Sequence, residues 1–246
     1  MYDFIDLHCH ILSGIDDGAK DTEMMTRMLD IAYSDGIKTI CLTPHFKIYR
    51  FNDAEEISKY NQDIQKAYEL ACCYAKNTYP DMTLLLGNEI MYHNDMFDSL
   101  VSSKCHTIST TSYVLVEFPP HISSFDLKNA TSKLLRKGFH PIIAHVERYN
   151  ALLNSHSLLK ELKESGAIIQ INSNSITRFK FGKVARFIRK ALKNKLVDIV
   201  CTDSHNDTSF PPTLSKAYRK VCKRYGNDYS KKIFHDNQFM IINNKH

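Results

Sequence analysis

At 246 residues, 43% hydrophobic and 24% charged, the chain can bury a full core, and its composition excludes a disordered protein. A net charge of +5 is too small for the concentrated basic stripe of a dedicated nucleic-acid binder and suits an anionic substrate. Met1-Tyr2-Asp3-Phe4 lacks a basic region leading into an apolar core, and no apolar run reaches membrane-span length. One domain over residues 1–246 is expected, in the cytoplasm, without membrane insertion.

A first strand over Tyr2–Leu7 leads into His8-Cys9-His10, and two-residue alternation puts both imidazoles on one side. Asp21 caps a helix that runs to Ser34, with Gly36 as its stop. Ile37–Thr43 reads as a buried strand delivering His45, and a capping box of Asp53 and Glu56 opens a long helix to Lys76. Met82–Leu86 leads to Glu89 and Tyr113–Val116 to Glu117. A helix from Ser123 or Ser124 to Lys137 precedes Pro141–Ala144, which delivers His145. Helix Ser157–Glu164, strand Ala167–Ile171 ending in the amides of Asn172 and Asn174, and helix Lys183–Asn194 follow. Strand Val197–Cys201 opens into Asp203 and His205. A helix over Thr213–Tyr225 and a terminal element over Lys231–Asn243 complete the chain. Seven strands alternating with helices indicate parallel βαβ units, and a closed or nearly closed barrel collects their C-terminal ends at one mouth.

Six of the seven strands end in a metal-binding residue type, giving His8, His10, Asp17, His45, Glu89, Glu117, His145, Asp203 and His205. Nine nitrogen and oxygen donors exceed the needs of one ion, so two or three ions sharing a bridging carboxylate are expected. With no thiolate in the set, the pattern points to Mn, Fe, Zn or Mg in a hydrolytic centre rather than structural zinc or iron–sulfur. Cys9 is expected to be packed. Seven cysteines without a Cys-x-x-Cys pair read as reduced thiols. None has an arginine six residues on, which excludes phosphate capture by a thiol nucleophile. Arg148, and more weakly Arg50, are candidates for holding a substrate phosphoryl oxygen. Arg186, Arg189, Lys190, Lys193 and Lys195 read as the solvated face of a helix.

His8-Cys9-His10, Gly14-Ile15-Asp16-Asp17-Gly18-Ala19, Thr43-Pro44-His45, Gly87-Asn88-Glu89, Glu117-Phe118-Pro119, His145-Val146-Glu147-Arg148-Tyr149 and Thr202-Asp203-Ser204-His205-Asn206 together resemble the CpsB/CapC type of bacterial protein-tyrosine phosphatase. That type belongs to the polymerase-and-histidinol-phosphatase (PHP) superfamily. The resemblance implies an α/β fold, a distorted (β/α)7 TIM-like barrel of the PHP type. It also implies three metal ions, usually manganese, and removal of phosphate from tyrosines on the tail of a bacterial tyrosine autokinase that governs capsule and exopolysaccharide export. By motif, His8, His10, Glu89 and Asp203 would hold the first ion, Glu89, Glu117 and His145 the second, and Asp17, His45 and His205 the third. Where the family usually carries an arginine before Pro211-Pro212, this chain has Phe210.

The mechanism expected from these residues is in-line attack on phosphorus by a hydroxide bridging two ions, with Arg148 neutralising equatorial oxygens. The alternatives are a histidinol-phosphate type of small-molecule phosphatase and a metal-stabilised module that grips a kinase tail with little turnover. A nuclease fits less well at a net charge of +5 with no appended nucleic-acid module.

Overall fold

The computed structural model describes residues 3–244. Tyr2, the expected start of the first strand, lies outside them. The strands are β1 (Phe4–Cys9), β2 (Ile37–Leu42), β3 (His45–Phe46), β4 (Thr83–Leu86), β5 (Glu89–Met91), β6 (Tyr113–Glu117), β7 (His140–Ile143), β8 (Ile168–Asn172) and β9 (Ile199–Cys201). All their pairings are parallel, in the orders β1-β2-β4 and β3-β5-β6-β7-β8-β9.

Two of the seven expected strands are interrupted, which is why nine segments make seven staves. Pro44 has no N–H to continue the ladder, so the chain that leaves β2 restarts as β3. The neighbouring stave breaks in step at Gly87-Asn88. Gly87 N–H donates to Leu42 O (2.9 Å), and the Asn88 side-chain amide donates to Pro44 O (2.9 Å), stitching the two breaks together. The ring is joined at its other end by Asp203 N–H to His8 O (2.8 Å) and His10 N–H to Ser204 O (2.9 Å). Asp6 supports this seam by accepting from Thr202 N (3.0 Å) and Oγ1 (2.5 Å). Burial pushes its carboxyl up to about 6, against the pull of those hydrogen bonds.

The curl of the sheet is visible in its packing. Leu7, Cys41, Leu115, Ile142 and Ile199, from five staves, share one inner cluster, whereas Ile40, Val114, Val116, Ile143 and Val200 belong to the larger layer between strands and helices. The alternation explains the mouth of the barrel. Leu115 is followed two residues on by Glu117, and Cys201 by Asp203. β1 departs from it: Ile5 and Leu7 belong to the inner cluster but Cys9 to the outer one. Its ladder with β2 shifts register between Asp6 and Cys9, and this irregularity lets His8 and His10 face the mouth. Cys9 is buried, as expected.

The helices are α1 (Thr22–Asp35), α2 (Ala54–Thr78), α3 (Met96–Val101), α4 (Ser124–Arg136), α5 (Asn150–Asn154), α6 (His156–Glu164), α7 (Ser173–Arg178), α8 (Gly182–Lys193), α9 (Ser215–Tyr225), α10 (Asn227–Lys231) and α11 (Asn237–Asn243). Asp21 caps α1 by accepting from Met24 N, and Gly36 ends it in the left-handed conformation at φ 95°. Asp53 caps α2 through Glu56 N, but the Glu56 carboxylate reaches back to Asn52 N (2.9 Å) rather than to Asp53. The terminal element is helical, with a π-helical stretch at Lys232–Asp236. Among the described residues no helix is long and apolar enough to cross a membrane.

Candidate metal centre

The staves bring all nine expected donors to one mouth. His8, His10, Glu89 and Asp203 form one group whose donor atoms all lie within 4.8 Å of one another; His10, Asp17, His45 and His205 form a second, and His45, Glu89 and Glu117 a third. His145 lies against the third, its Nε2 2.8 Å from Glu89 Oε1 and 3.6 Å from Glu117 Oε1. The first group coincides with the set the resemblance implies for one ion. The other two share members more widely than that division does: His10 stands with the Asp17 group, and His45 with both.

Glu89 is the hub, with His8, His10, His45 and His145 all within 3.3 Å of its oxygens. It is placed there by the register of β3 and β5, which sets His45 opposite Glu89. His8 Nε2 and His10 Nε2 face each other at 3.3 Å, so two ring nitrogens and the Glu89 and Asp203 carboxylates share one space. Burial resists protonation of His8, yet the Glu89 and Asp203 charges outweigh it and raise its pKa. Burial likewise opposes the shift of His10, but its hydrogen bond to Asp16 and the Asp203 and Glu89 carboxylates beside it raise it further. Glu89 stays well below the usual carboxylate range despite its burial, because the imidazoles surround it. Glu117 moves the other way, pushed up by burial and by the Glu89 charge. His205 is lowered by burial and by His10 beside it.

Four of these donors are buried with no hydrogen-bond partner: His45 Nδ1, Glu89 Oε2, Glu117 Oε2 and Asp203 Oδ1. Orphaned acceptors of this kind are costly in a protein interior and rare. A set of carboxylate oxygens and imidazole nitrogens that face one another and lack donors fits hard or borderline cations. Backbone strain marks the same place. His145 (φ 31°) and Asp203 (φ 51°) both occupy the left-handed region, at a cost of roughly 1–3 kcal/mol each. Hydrogen bonds from His145 N–H to Gln170 Oε1 (2.6 Å) and from Asp203 N–H to His8 O hold them there.

The two acids of the loop after His10 have different tasks. Asp16 is largely buried and accepts from His10 Nδ1 (2.7 Å), His45 N (3.0 Å) and Gly18 N (3.0 Å). Burial opposes its ionisation, but these bonds hold its carboxyl well below the usual range. Asp17 is exposed and puts Oδ1 3.3 Å from His45 Nε2 and 3.7 Å from His205 Nε2. Gly18 makes the loop possible, since a Cβ there would stand 2.0 Å from His10 O.

Several supporting residues escaped the sequence reading. The eighth strand, β8, contributes none of the nine candidate donors but carries a chain of amides. Gln170 Oε1 lies 3.4 Å from His8 Nδ1, its Nε2 donates to Asn172 Oδ1 (2.8 Å), and Asn172 Nδ2 donates to Asp203 Oδ2 (2.7 Å). Alternation from Asn172 back to Gln170 was the available signal. Tyr149 Oη accepts from Phe118 N (3.0 Å) and lies 3.4 Å from His145 Nδ1. Tyr60 Oη donates to His45 O (2.5 Å).

Arg148 pairs with Asp203 Oδ2 (2.5 Å) rather than with its neighbour Glu147. It borders a cavity of about 430 Å³ whose walls include Asn172, Arg178, Phe179, Asp203 and Phe210. The Arg178 guanidinium lies 5.6 Å from the centre of the Phe210 ring. A guanidinium therefore stands beside Phe210, the position where the resemblance implies an arginine. Arg50 sits apart from Arg148, in a smaller cleft of about 250 Å³ with Asp16, Asp17, His45 and Tyr60.

A family model described as "Capsular polysaccharide synthesis, CpsB/CapC" matches residues 4–243. The chain is 35% identical over 243 residues to the tyrosine-protein phosphatase CpsB of Streptococcus pneumoniae, covering 97% of this chain and 98% of that one. It is 29% identical to the tyrosine-protein phosphatase YwqE of Bacillus subtilis, covering 97% and 92%. A crystal structure from work on YwqE and CpsB, described as metal-dependent tyrosine phosphatases, superposes with a TM-score of 0.85 at 27% identity, covering 98% of this chain and 95% of that one. The phosphotriesterase homology protein of Escherichia coli, at 9% identity and a TM-score of 0.60 over 98% of both chains, shares the fold alone.

Proposed function

We propose, for a chain that belongs to the CpsB/CapC family of capsular polysaccharide synthesis, that it is a metal-dependent phosphatase of phosphotyrosine proteins. The observation that carries this reading is the ring of His, Glu and Asp side chains gathered at the barrel mouth, four of whose buried donor atoms have no hydrogen-bond partner. His8, His10, Glu89 and Asp203 would hold one ion, Glu89, Glu117 and His145, with His45 adjoining, a second, and Asp17, His45 and His205, with His10 adjoining, a third. Manganese is the metal we favour for all three sites. Such ions, when bound, supply Lewis-acid chemistry, lowering the pKa of a coordinated water towards about 7 and offsetting phosphoryl charge.

The remaining work falls to the protein's own groups. Arg148 has five N–H donors and spends one on Asp203, so the half-exposed guanidinium can also bind a phosphoryl oxygen. Arg178 brings a second cation to the same cavity, and the Phe210 ring gives a phenyl group a face to pack against. Asp16, Gln170 and Asn172 fix the orientation of His10, His8 and Asp203. A tyrosine leaving group has a pKa of about 10, so it departs with less protonation than an alkoxide requires.

The substrate would be a tyrosine-phosphorylated tail of a bacterial autokinase, met in the cytoplasm. A histidinol-phosphate activity is less favoured, because the relatives that match over nearly the whole chain are named tyrosine phosphatases. Phosphate release from a phosphotyrosine peptide and from histidinol phosphate, each with manganese or chelator, tests the reading. Manganese-dependent release that is faster from the peptide is expected. Absence of release, or faster release from histidinol phosphate, would overturn it.

A further inference from the structure

A second concave site lies beyond the metal centre, between α7, α8 and α9. It encloses about 400 Å³ over an apolar floor that includes Ile176, Ile188, Leu192 and Val221. Four cations line it, Lys180, Arg189, Lys220 and Arg224, and no carboxylate does. Among the described residues none of the four makes an ion pair. Arg189 Nη1 donates to Lys180 O (3.3 Å) and Lys220 Nζ to Ile176 O. Elsewhere on the surface cations do find acids, as Lys38 finds Asp81 and Lys128 finds Glu161.

A whole-chain charge of only +5 makes four unpaired cations on one groove a concentrated field. Lys220 registers it: burial and the neighbouring Arg224, Arg189 and Lys180 charges together lower its ammonium from the ordinary value. Arg189 is exposed on α8, as the sequence reading has it, and also lines this groove. The groove also adjoins the cavity beside the metal centre. Ser175 and Phe179 line both this groove and the cavity that contains Arg148, Asp203 and Phe210. At the rim Phe181 stands 86% exposed, an uncovered aromatic ring beside uncompensated positive charge.

We infer that this groove binds an acidic peptide segment carrying a large apolar side chain, flanking the phosphotyrosine of the same substrate chain. Carboxylates would meet Lys180, Arg189, Lys220 and Arg224, the apolar side chain would cover the floor, and the chain between would cross Phe179. The floor is aliphatic, which favours a peptide's apolar side chain over nucleobases, whose preferred partners are aromatic faces. The inference rests on the phosphotyrosine-protein reading, whose substrate must have residues on either side of its phosphate.

The test uses the full chain loaded with manganese and two fluorescein-labelled, unphosphorylated peptides of equal length. One is rich in Asp and Glu around a Leu, and the other has Ser and Gln in place of the acids. Fluorescence anisotropy should show the acidic peptide binding more tightly, with the difference shrinking at high salt. The double variant Arg189→Glu/Arg224→Glu should weaken acidic-peptide binding by about tenfold or more. With phosphotyrosine peptides carrying the same flanks, the acidic flank should lower KM in the native protein but not in the variant, with kcat unchanged. Equal binding of the two peptides, an acidic preference that survives charge reversal, or groove-dependent binding of oligothymidylate without the acidic peptide would each overturn the inference. If the double variant does not fold, the salt dependence of the native protein's preference decides. Failure to turn over p-nitrophenyl phosphate would count against the phosphatase reading alone, because anisotropy needs no catalysis.

Discussion

Replacing Asp16 by Asn should weaken metal binding although Asp16 is not itself among the donors of the three groups. Its Oδ2 accepts from both His10 Nδ1 and His45 N, and its Oδ1 from Gly18 N. An asparagine has one acceptor end, so in either orientation its NH2 opposes an N–H donor. If the NH2 faces His10, the imidazole must turn Nδ1 into an acceptor and carry its proton on Nε2, the nitrogen aimed at Glu89 and Asp203. Loss of a supporting carboxylate behind a ligand histidine typically costs about 10- to 100-fold in metal affinity, or about 1.4–2.7 kcal/mol. The buried mismatch costs a further 1–3 kcal/mol or so of stability even without metal, which for a chain of this size lowers Tm by roughly 2–10 °C. Calorimetric titration of manganese into metal-free protein, paired with thermal unfolding, reads both effects. Asp17→Asn is the contrast: its exposed side chain should leave metal-free stability unchanged while one class of manganese site weakens. Asp16→Asn with native affinity and Tm, or two variants that behave alike, would refute this division of labour.

Manganese at about 100 times its dissociation constant should stabilise the metal-free protein by about 2.7 kcal/mol per site, raising Tm by roughly 5–10 °C, which differential scanning fluorimetry can follow. Tyr149→Phe leaves the buried Phe118 N–H without its acceptor, so chemical denaturation should report a loss of about 1–3 kcal/mol. Phe210→Ala removes an aromatic face worth about 0.5–1.5 kcal/mol, so the kcat/KM preference for a phosphotyrosine over a phosphoserine peptide should fall by about two- to tenfold. Arg148→Lys keeps the charge but not the planar fork, so KM for the phosphopeptide should rise while bound manganese stays unchanged by elemental analysis.

The donors at the strand ends were legible because a parallel barrel converts position along the chain into position around a rim. Glu117 two residues after Leu115, and Asp203 two after Cys201, need only alternation to be placed. The helix ends at Asp21 and Gly36 were equally local, since capping depends on residues within a turn. What was not legible depends on contacts between distant segments. No pattern near His8 discloses the register shift that turns it to the mouth while Cys9 packs outward. Gln170 is an ordinary buried polar residue until the fold brings His8 and His145 to it. The motif distinguished Asp17 from Asp16 as the donor, but only the folded loop shows that Asp16 orients two histidine segments. Phe210 read simply as a missing arginine, because Arg178 meets it only across the cavity.

The most direct test of a metal-loaded hydrolytic centre is to titrate metal-free protein with manganese and follow bound metal and phosphate release from a phosphotyrosine peptide in the same samples. Release should be absent in chelator, rise with occupancy and level off once the sites formed by His8, His10, Asp17, His45, Glu89, Glu117, His145, Asp203 and His205 are filled. Undiminished release from metal-free protein, or full occupancy without release, would contradict it.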